Sequence, residues 1–176
     1  MSAETTISTP LPAGVQPNVV VALLHDHEAY IRTTCPQLIS YSRIPPPTIH
    51  PSDANSNGNV AGSSPSPSPP PPPPAVDEPR TFEVTDRRPT GQTTYRLTLT
   101  NRADGIDSAV DGKAPTGSMA IRSRWRVRGD AGLLEETADI ESNMITRKMV
   151  KSNIERSHPG YHRTFLAEAA ARAPLN

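Results

Sequence analysis

Hydrophobic positions along the chain follow two periods, and the switches between them lay out the elements. β-Branched and polar residues alternate over residues 5–11 and predict a first strand, ended by Pro12, Ala13 and Gly14. From Pro17, a residue tolerated in a first helical turn, the spacing becomes helical. Val19, Val20, Leu23, Leu24, Tyr30 and Ile31 gather on one side at about 100° per residue, which predicts one helix that Pro36 interrupts. Leu38, Ile39, Tyr41 and Ile44 then read as a second strand running into Pro45-Pro46-Pro47.

The pattern resumes after Pro79. Phe82 and Val84 alternate with polar residues, as do Tyr95, Leu97 and Leu99 beyond a Pro89-Thr90-Gly91-Gln92 turn, so this is a hairpin. Pairing Phe82 with Leu99 and Val84 with Leu97 puts the large apolar residues on one face. Asp111-Gly112 marks a further turn, between residues 106–110 and a long strand over 119–128. A last hairpin centred on Asp130-Ala131 sets Val127 opposite Leu134, Ser123 opposite Ala138 and Ile121 opposite Ile140, all inward. The same register sets Arg126 opposite Glu135 and Arg122 opposite Asp139, all outward.

From Thr146 the period is helical again. Val150, Ile154, His158, Tyr161 and Phe165 form one stripe that keeps its phase through Pro159-Gly160, which favours a single long helix bent near His158 over two independent ones. Strand, helix, about six more strands and a long terminal helix make an α+β order without βαβ repeats. An antiparallel sheet wrapped around a long C-terminal helix is the helix-grip architecture.

Composition changes this picture in one place. Thirteen of the 21 prolines lie within residues 45–79, which hold only three charged side chains. Residues 1–44 and 80–176 therefore read as one helix-grip domain, and residues 45–79 as a disordered proline-rich insertion. Its run of six prolines ending at Pro74 favours polyproline II, suited either to a passive spacer or to a polyproline-binding partner domain. No stretch approaches the ~20 apolar residues of a membrane span, and the first residues lack a signal-peptide order, so an intracellular, cytoplasmic protein is expected. Cys35 is the only cysteine, which excludes an internal disulfide and a thiolate metal cluster. Eighteen basic and 18 acidic residues remove the whole-chain electrostatic case for nucleic acid or an anionic membrane.

Leu24-His25-Asp26-His27 ahead of Cys35-Pro36-Gln37-Leu38, then Ala114-Pro115-Thr116-Gly117 and Arg122-Ser123-Arg124-Trp125-Arg126-Val127, resemble a fungal family classed as a domain of unknown function. That family is similar to the START-like, polyketide-cyclase-like (SRPBCC) helix-grip superfamily. The resemblance implies a ligand held between sheet and helix. It supplies no catalytic residues, and a role in fungal secondary metabolism follows from it only by analogy of fold.

Polar residues on faces that should be buried are the candidates for chemistry. His27 lies within the arc of Val20, Leu23, Leu24 and Ile31, where it is a candidate acid or base or a hydrogen-bonded core histidine. Glu136 turns inward opposite Trp125, where a dry pocket would raise its pKa and make it a proton donor, and a wet barrel mouth would not. Asp86, placed opposite Tyr95, and Ser123 and Ser142 would orient a guest. With Tyr95, Trp125, Ile154, His158, Tyr161 and Phe165, these two serines make up the expected ligand-binding set. His25 and His27 splay apart on a helix, and no metal or cofactor is expected. Arg122, Arg124, Arg126 and Arg128 face acidic partners and read as a neutralised outer surface. Cys35 reads as a buried structural thiol. The leading function is an apolar-metabolite or lipid binding protein with an internal cavity, extending to a cyclase- or dehydratase-like accessory protein. The alternative is a non-enzymatic interaction module that uses the outer sheet or the proline-rich loop.

Overall fold

A computed structural model of the chain describes residues 2–45, 75–89, 91–114 and 117–172. The six-proline run, and with it the expected polyproline partner, lies outside the described residues. The strands are β1 (Ser2–Pro10), β2 (Leu38–Ile44), β3 (Pro79–Arg88), β4 (Gly91–Arg102), β5 (Gly105–Ala114), β6 (Gly117–Arg128) and β7 (Leu133–Glu141). They form one antiparallel sheet in the order β1-β7-β6-β5-β4-β3-β2. Two short helices, α1 (Pro17–His25) and α2 (His27–Thr34), connect the two edge strands, and α3 (Met144–Arg172) packs chiefly along β1, β7, α1 and α2. This is the helix-grip fold. No helix among the described residues is long and apolar enough to cross a membrane.

The helix expected from Pro17 to Ile31 is in fact two. Asp26 leaves helical geometry at φ −76° and ψ 90°, and its carboxylate accepts the Ala29 N–H at 3.1 Å, capping α2. A short acidic side chain competing for backbone donors ends one helix and starts the next, while the apolar arc of the two stays on the core side. α3, by contrast, is continuous through Pro159. Proline has no N–H, so the Glu155 carbonyl one turn earlier loses its helical partner, a cost that packing of the α3 stripe offsets. At its start, Asn143 Oδ1 accepts the Thr146 N–H at 3.0 Å.

The β6–β7 register matches the alternation residue for residue, from Val127 opposite Leu134 to Ile121 opposite Ile140. The β3–β4 register differs by two: Phe82 pairs with Leu97, and Val84 with Tyr95, because Arg88 already pairs with Gly91 across a tighter connection. An even shift preserves the face, so the apolar set still points inward. Asp86 consequently pairs with Thr93, not Tyr95. Asp111-Gly112 is not a turn either. Both residues lie inside β5, which continues to Ala114, and a Cβ on Gly112 would come within 3.1 Å of the Tyr95 Cβ, so the glycine admits a close strand approach. Contacts with the sheet begin ahead of Arg80: Val76 bridges Asn101, and the Asp77 N–H donates to the Asn101 carbonyl at 2.9 Å.

The core lies between the inner sheet face and the helices. Trp125, Leu99, Ile106 and Leu134 from the sheet meet Val20, Leu24, Ile31 and Phe165, all fully buried. Each such side chain contributes about 1.5–3 kcal/mol. On the outer face the four arginines are paired, but on diagonals: Arg122 with Asp111, Arg124 with Asp139, Arg126 with Asp107 and Arg128 with Glu135. Strand twist brings diagonal neighbours within reach of long side chains.

Candidate functional site

Strand register sets two rows across the concave face. In the first, Asn101, Ile106, Trp125 and Glu136 are paired in turn and are all fully buried. In the second, Phe82, Leu97, Val110, Ile121 and Ile140 are paired in turn. Its ends, Phe82, Leu97 and Ile140, are buried, yet Val110 and Ile121 at the centre are only half-buried. Met119 and Tyr95, one step further on, are also half-buried, as are Val150, His158 and Tyr161 of α3. α3 therefore covers the apolar centre of this row only partly. The space beneath Trp125 is filled, since the indole packs against His162 at 4.5 Å, Tyr30 at 5.5 Å and Phe165 at 5.7 Å between ring centroids. The internal cavity expected there is occupied by these rings.

Glu136 stands at the boundary of the filled and partly covered regions. Its carboxylate accepts the His158 Nδ1–H at 2.8 Å, and His162 Nε2 lies 3.4 Å away, an ion-pair contact rather than an aligned hydrogen bond. Burial alone would raise the Glu136 pKa, as the sequence suggests. The hydrogen bond from His158 and the two imidazoles' charges outweigh it, and the group is held down at about 2. Glu136 is thus a buried carboxylate and an acceptor, not the proton donor expected from a dry pocket. His162 is not among the site residues expected from the sequence, although it lies four residues after His158 and three before Phe165, on the same helix face. Its Nδ1 meets Thr9 Oγ1 at 3.0 Å, so β1 and β7 position the ring between them.

This geometry assigns the ring atoms of His158. A carboxylate only accepts, so Nδ1 carries the hydrogen, and Nε2 is the atom that can take up or give up a proton. His158 is 19% exposed against 1% for Glu136, so the histidine, not the glutamate, reaches solvent. Tyr161 lies beside it, with ring centroids 5.0 Å apart. The pair has the form of an orienting carboxylate and a general acid–base imidazole. The direct 2.8 Å contact leaves no space for an ion between them. Among the described residues no group of three or more histidine, cysteine or acidic side chains is arranged to hold a metal.

The other sequence candidates divide. His27 is buried, but its Nε2 is bound to Asn101 Oδ1 at 2.9 Å and its ring abuts Phe82, and burial pushes its pKa down. Ile106 and Trp125 separate Asn101 from Glu136 in the row, so the fold does not bring the two expected acid–base residues together. Ser123 is buried in the sheet next to Ser108, which takes a hydrogen bond from the Tyr30 hydroxyl at 3.1 Å. Ser142 lies past the end of β7, where its hydroxyl donates to the Ser118 carbonyl. Ile154 and Phe165 are buried packing residues. Tyr95 joins a second polar group: its hydroxyl donates to Asp86 Oδ2 at 2.9 Å and lies 3.2 Å from Cys35 Sγ, while burial raises the thiol's pKa.

The class this architecture defines is the helix-grip protein, and solved structures agree. The crystal structure of Ara h 8.0201 matches with a TM-score of 0.58 at 9% identity, covering 98% of this chain and 100% of its own. The ZhuI aromatase/cyclase of Streptomyces sp. R1128 matches at 0.56 and 14% identity, covering 99% and 96%. The di-domain aromatase/cyclase StfQ of steffimycin biosynthesis matches at 0.52 and 10% identity over 98% of this chain and 51% of that one. At such identities the likeness is one of fold. Within that class, the chain belongs to the family described as Domain of unknown function (DUF7053), which it matches over residues 2–171. No curated protein matches its sequence.

Proposed function

We propose that the protein binds an apolar small molecule in a hollow over the partly covered Val110, Ile121, Met119 and Tyr95, and that His158, oriented by Glu136, moves a proton on it. The observation that carries this reading is the half-buried apolar centre of a sheet row whose ends are buried, next to an imidazole whose Nδ1 is held by a buried carboxylate. Apolar floors with few polar groups are the usual form of small-molecule sites. A reaction that suits one acid–base imidazole is closure of a flexible polycarbonyl chain. His158 Nε2 would take a proton from a carbon between two carbonyls, the carbanion would attack a third carbonyl of the same chain, and the proton would return to the new alkoxide. Loss of that hydroxyl together with a hydrogen from the adjacent carbon, forming a C=C bond and water, would complete a dehydration. Aromatase/cyclases sharing the fold support this class of substrate by analogy only, and a place in secondary metabolism rests on the same analogy.

The test separates binding from chemistry. Native mass spectrometry of protein purified from its own host should show a retained small molecule of constant mass, and Ile121→Trp, which fills the hollow, should abolish it. His158→Ala should keep the bound mass while losing turnover of a poly-β-ketone substrate. An empty wild-type protein whose melting temperature ignores a panel of lipids and polyketides would overturn the reading.

A further inference from the structure

The first turns of α3 carry a feature that neither the hollow nor the core explains. Met144, Ile145 and Met149 are 73%, 72% and 61% exposed, and with Lys148 and Ser152 they line a shallow depression of about 520 Å³. Spacings of one, four, five and eight residues put all five on one helix face. No Asp or Glu occurs from Met144 to Asn153, while Arg147, Lys148 and Lys151 do. Lys151 reaches the Glu4 carbonyl at 3.0 Å and Glu155 at 3.8 Å, whereas Lys148, within the apolar face, has no partner among the described residues.

Both parts of this arrangement work against the isolated chain. Three large apolar side chains stay in water, and Lys148 lies near the helix end where the backbone dipole is already positive, with no acidic residue in the first turn. An anionic apolar boundary relieves both at once. We propose that the amino-terminal face of α3 docks on the surface of an anionic phospholipid bilayer, with Met144, Ile145 and Met149 entering the acyl boundary and Lys148 meeting lipid phosphates. A second copy of the chain does not fit, because a two-fold contact would set Lys148 against the same cations. Every lining residue comes from one helix, so the face is shallow and suits a bilayer surface. The helix lies on the membrane and does not span it.

The experiment is co-sedimentation of the full-length chain with vesicles of phosphatidylcholine alone or mixed with phosphatidylserine. The wild type should sediment with the mixed vesicles, fail to do so with phosphatidylcholine alone, and release as salt rises. Lys148→Ser should weaken binding about fivefold, as one cation removed from an anionic surface does. The pair Ile145→Ser and Met149→Ser should weaken it at least ~10-fold by removing apolar burial, with an unchanged melting temperature because both positions are exposed. Failure to sediment with the mixed vesicles at low salt, equal sedimentation with phosphatidylcholine alone, or wild-type binding by the double-serine variant would each overturn the proposal. So would a wild-type dimer in sedimentation velocity that the double variant dissociates.

Discussion

Replacing Glu136 by glutamine keeps the shape of the side chain and removes its charge, which isolates what the buried carboxylate contributes. In the folded protein the group is held at about 2 against an ordinary value of 4.5, with burial opposing and the His158 and His162 contacts prevailing. A depressed carboxylate pKa stabilises the fold above the unfolded value and loses that contribution as pH falls toward the folded value. A gap of this size corresponds to about 3 kcal/mol at pH 7, shrinking to about 1 kcal/mol at pH 3. The amide of Glu136→Gln resembles the neutral acid, so the variant should lose about that much at neutral pH and much less in acid. For a domain of this size the loss is a melting temperature lower by about 6–12 °C at pH 7. Urea denaturation of both proteins at pH 7 and pH 3 measures the difference directly. An equal loss at the two pH values would mean that the substitution disturbs packing, and no loss at pH 7 would mean that the carboxylate is not held by its histidines. Either result would refute the reasoning.

His27 offers an independent pH window. Burial lowers its pKa from the ordinary 6.5, so stability should decline as pH falls below about 6.5, and His27→Gln should flatten that slope in denaturation curves between neutral and mildly acid pH. Gly105→Ala should destabilise by about 1–3 kcal/mol or more, since its Cβ would overlap the Trp125 carbonyl; a neutral result in urea denaturation would contradict the strand spacing at that bend. Phe165→Ala, at the meeting of α3 with Trp125 and Tyr30, should cost about 3–5 kcal/mol, read from the same curves. Asp26→Ala should cost about 1 kcal/mol through loss of the α2 cap, and Asp26→Asn should recover most of it.

Short-range pattern accounts for most of the fold. The β6–β7 hairpin is legible in full because two faces constrain it at once, the inward Val127, Ile121, Leu134 and Ile140 and the outward alternation of Arg with Asp or Glu. α3 is legible because its stripe keeps phase across Pro159. The β3–β4 register is not, because a shift of two leaves every apolar residue on the same face and only the turn decides between the two. The break at Asp26 is hidden for a related reason: α1 and α2 keep their apolar residues toward one core, and the capping bond that divides them leaves no mark on the periodicity.

The candidate site shows the limit more sharply. Alternation alone turns Glu136 inward opposite Trp125, and spacing alone puts His158 on the buried stripe. Their meeting, across 22 residues, depends on where α3 crosses β7, and that crossing is a property of the packed layers. It also decides the sign of the electrostatics. A buried carboxylate without partners is pushed toward its neutral form, and the same carboxylate between two imidazoles is held ionised. The chain's periodicities specify which side chains face inward, because that is a relation between near neighbours. Which of those inward groups touch, and whether the centre of the concave face stays open, is set by long-range packing that no local pattern contains.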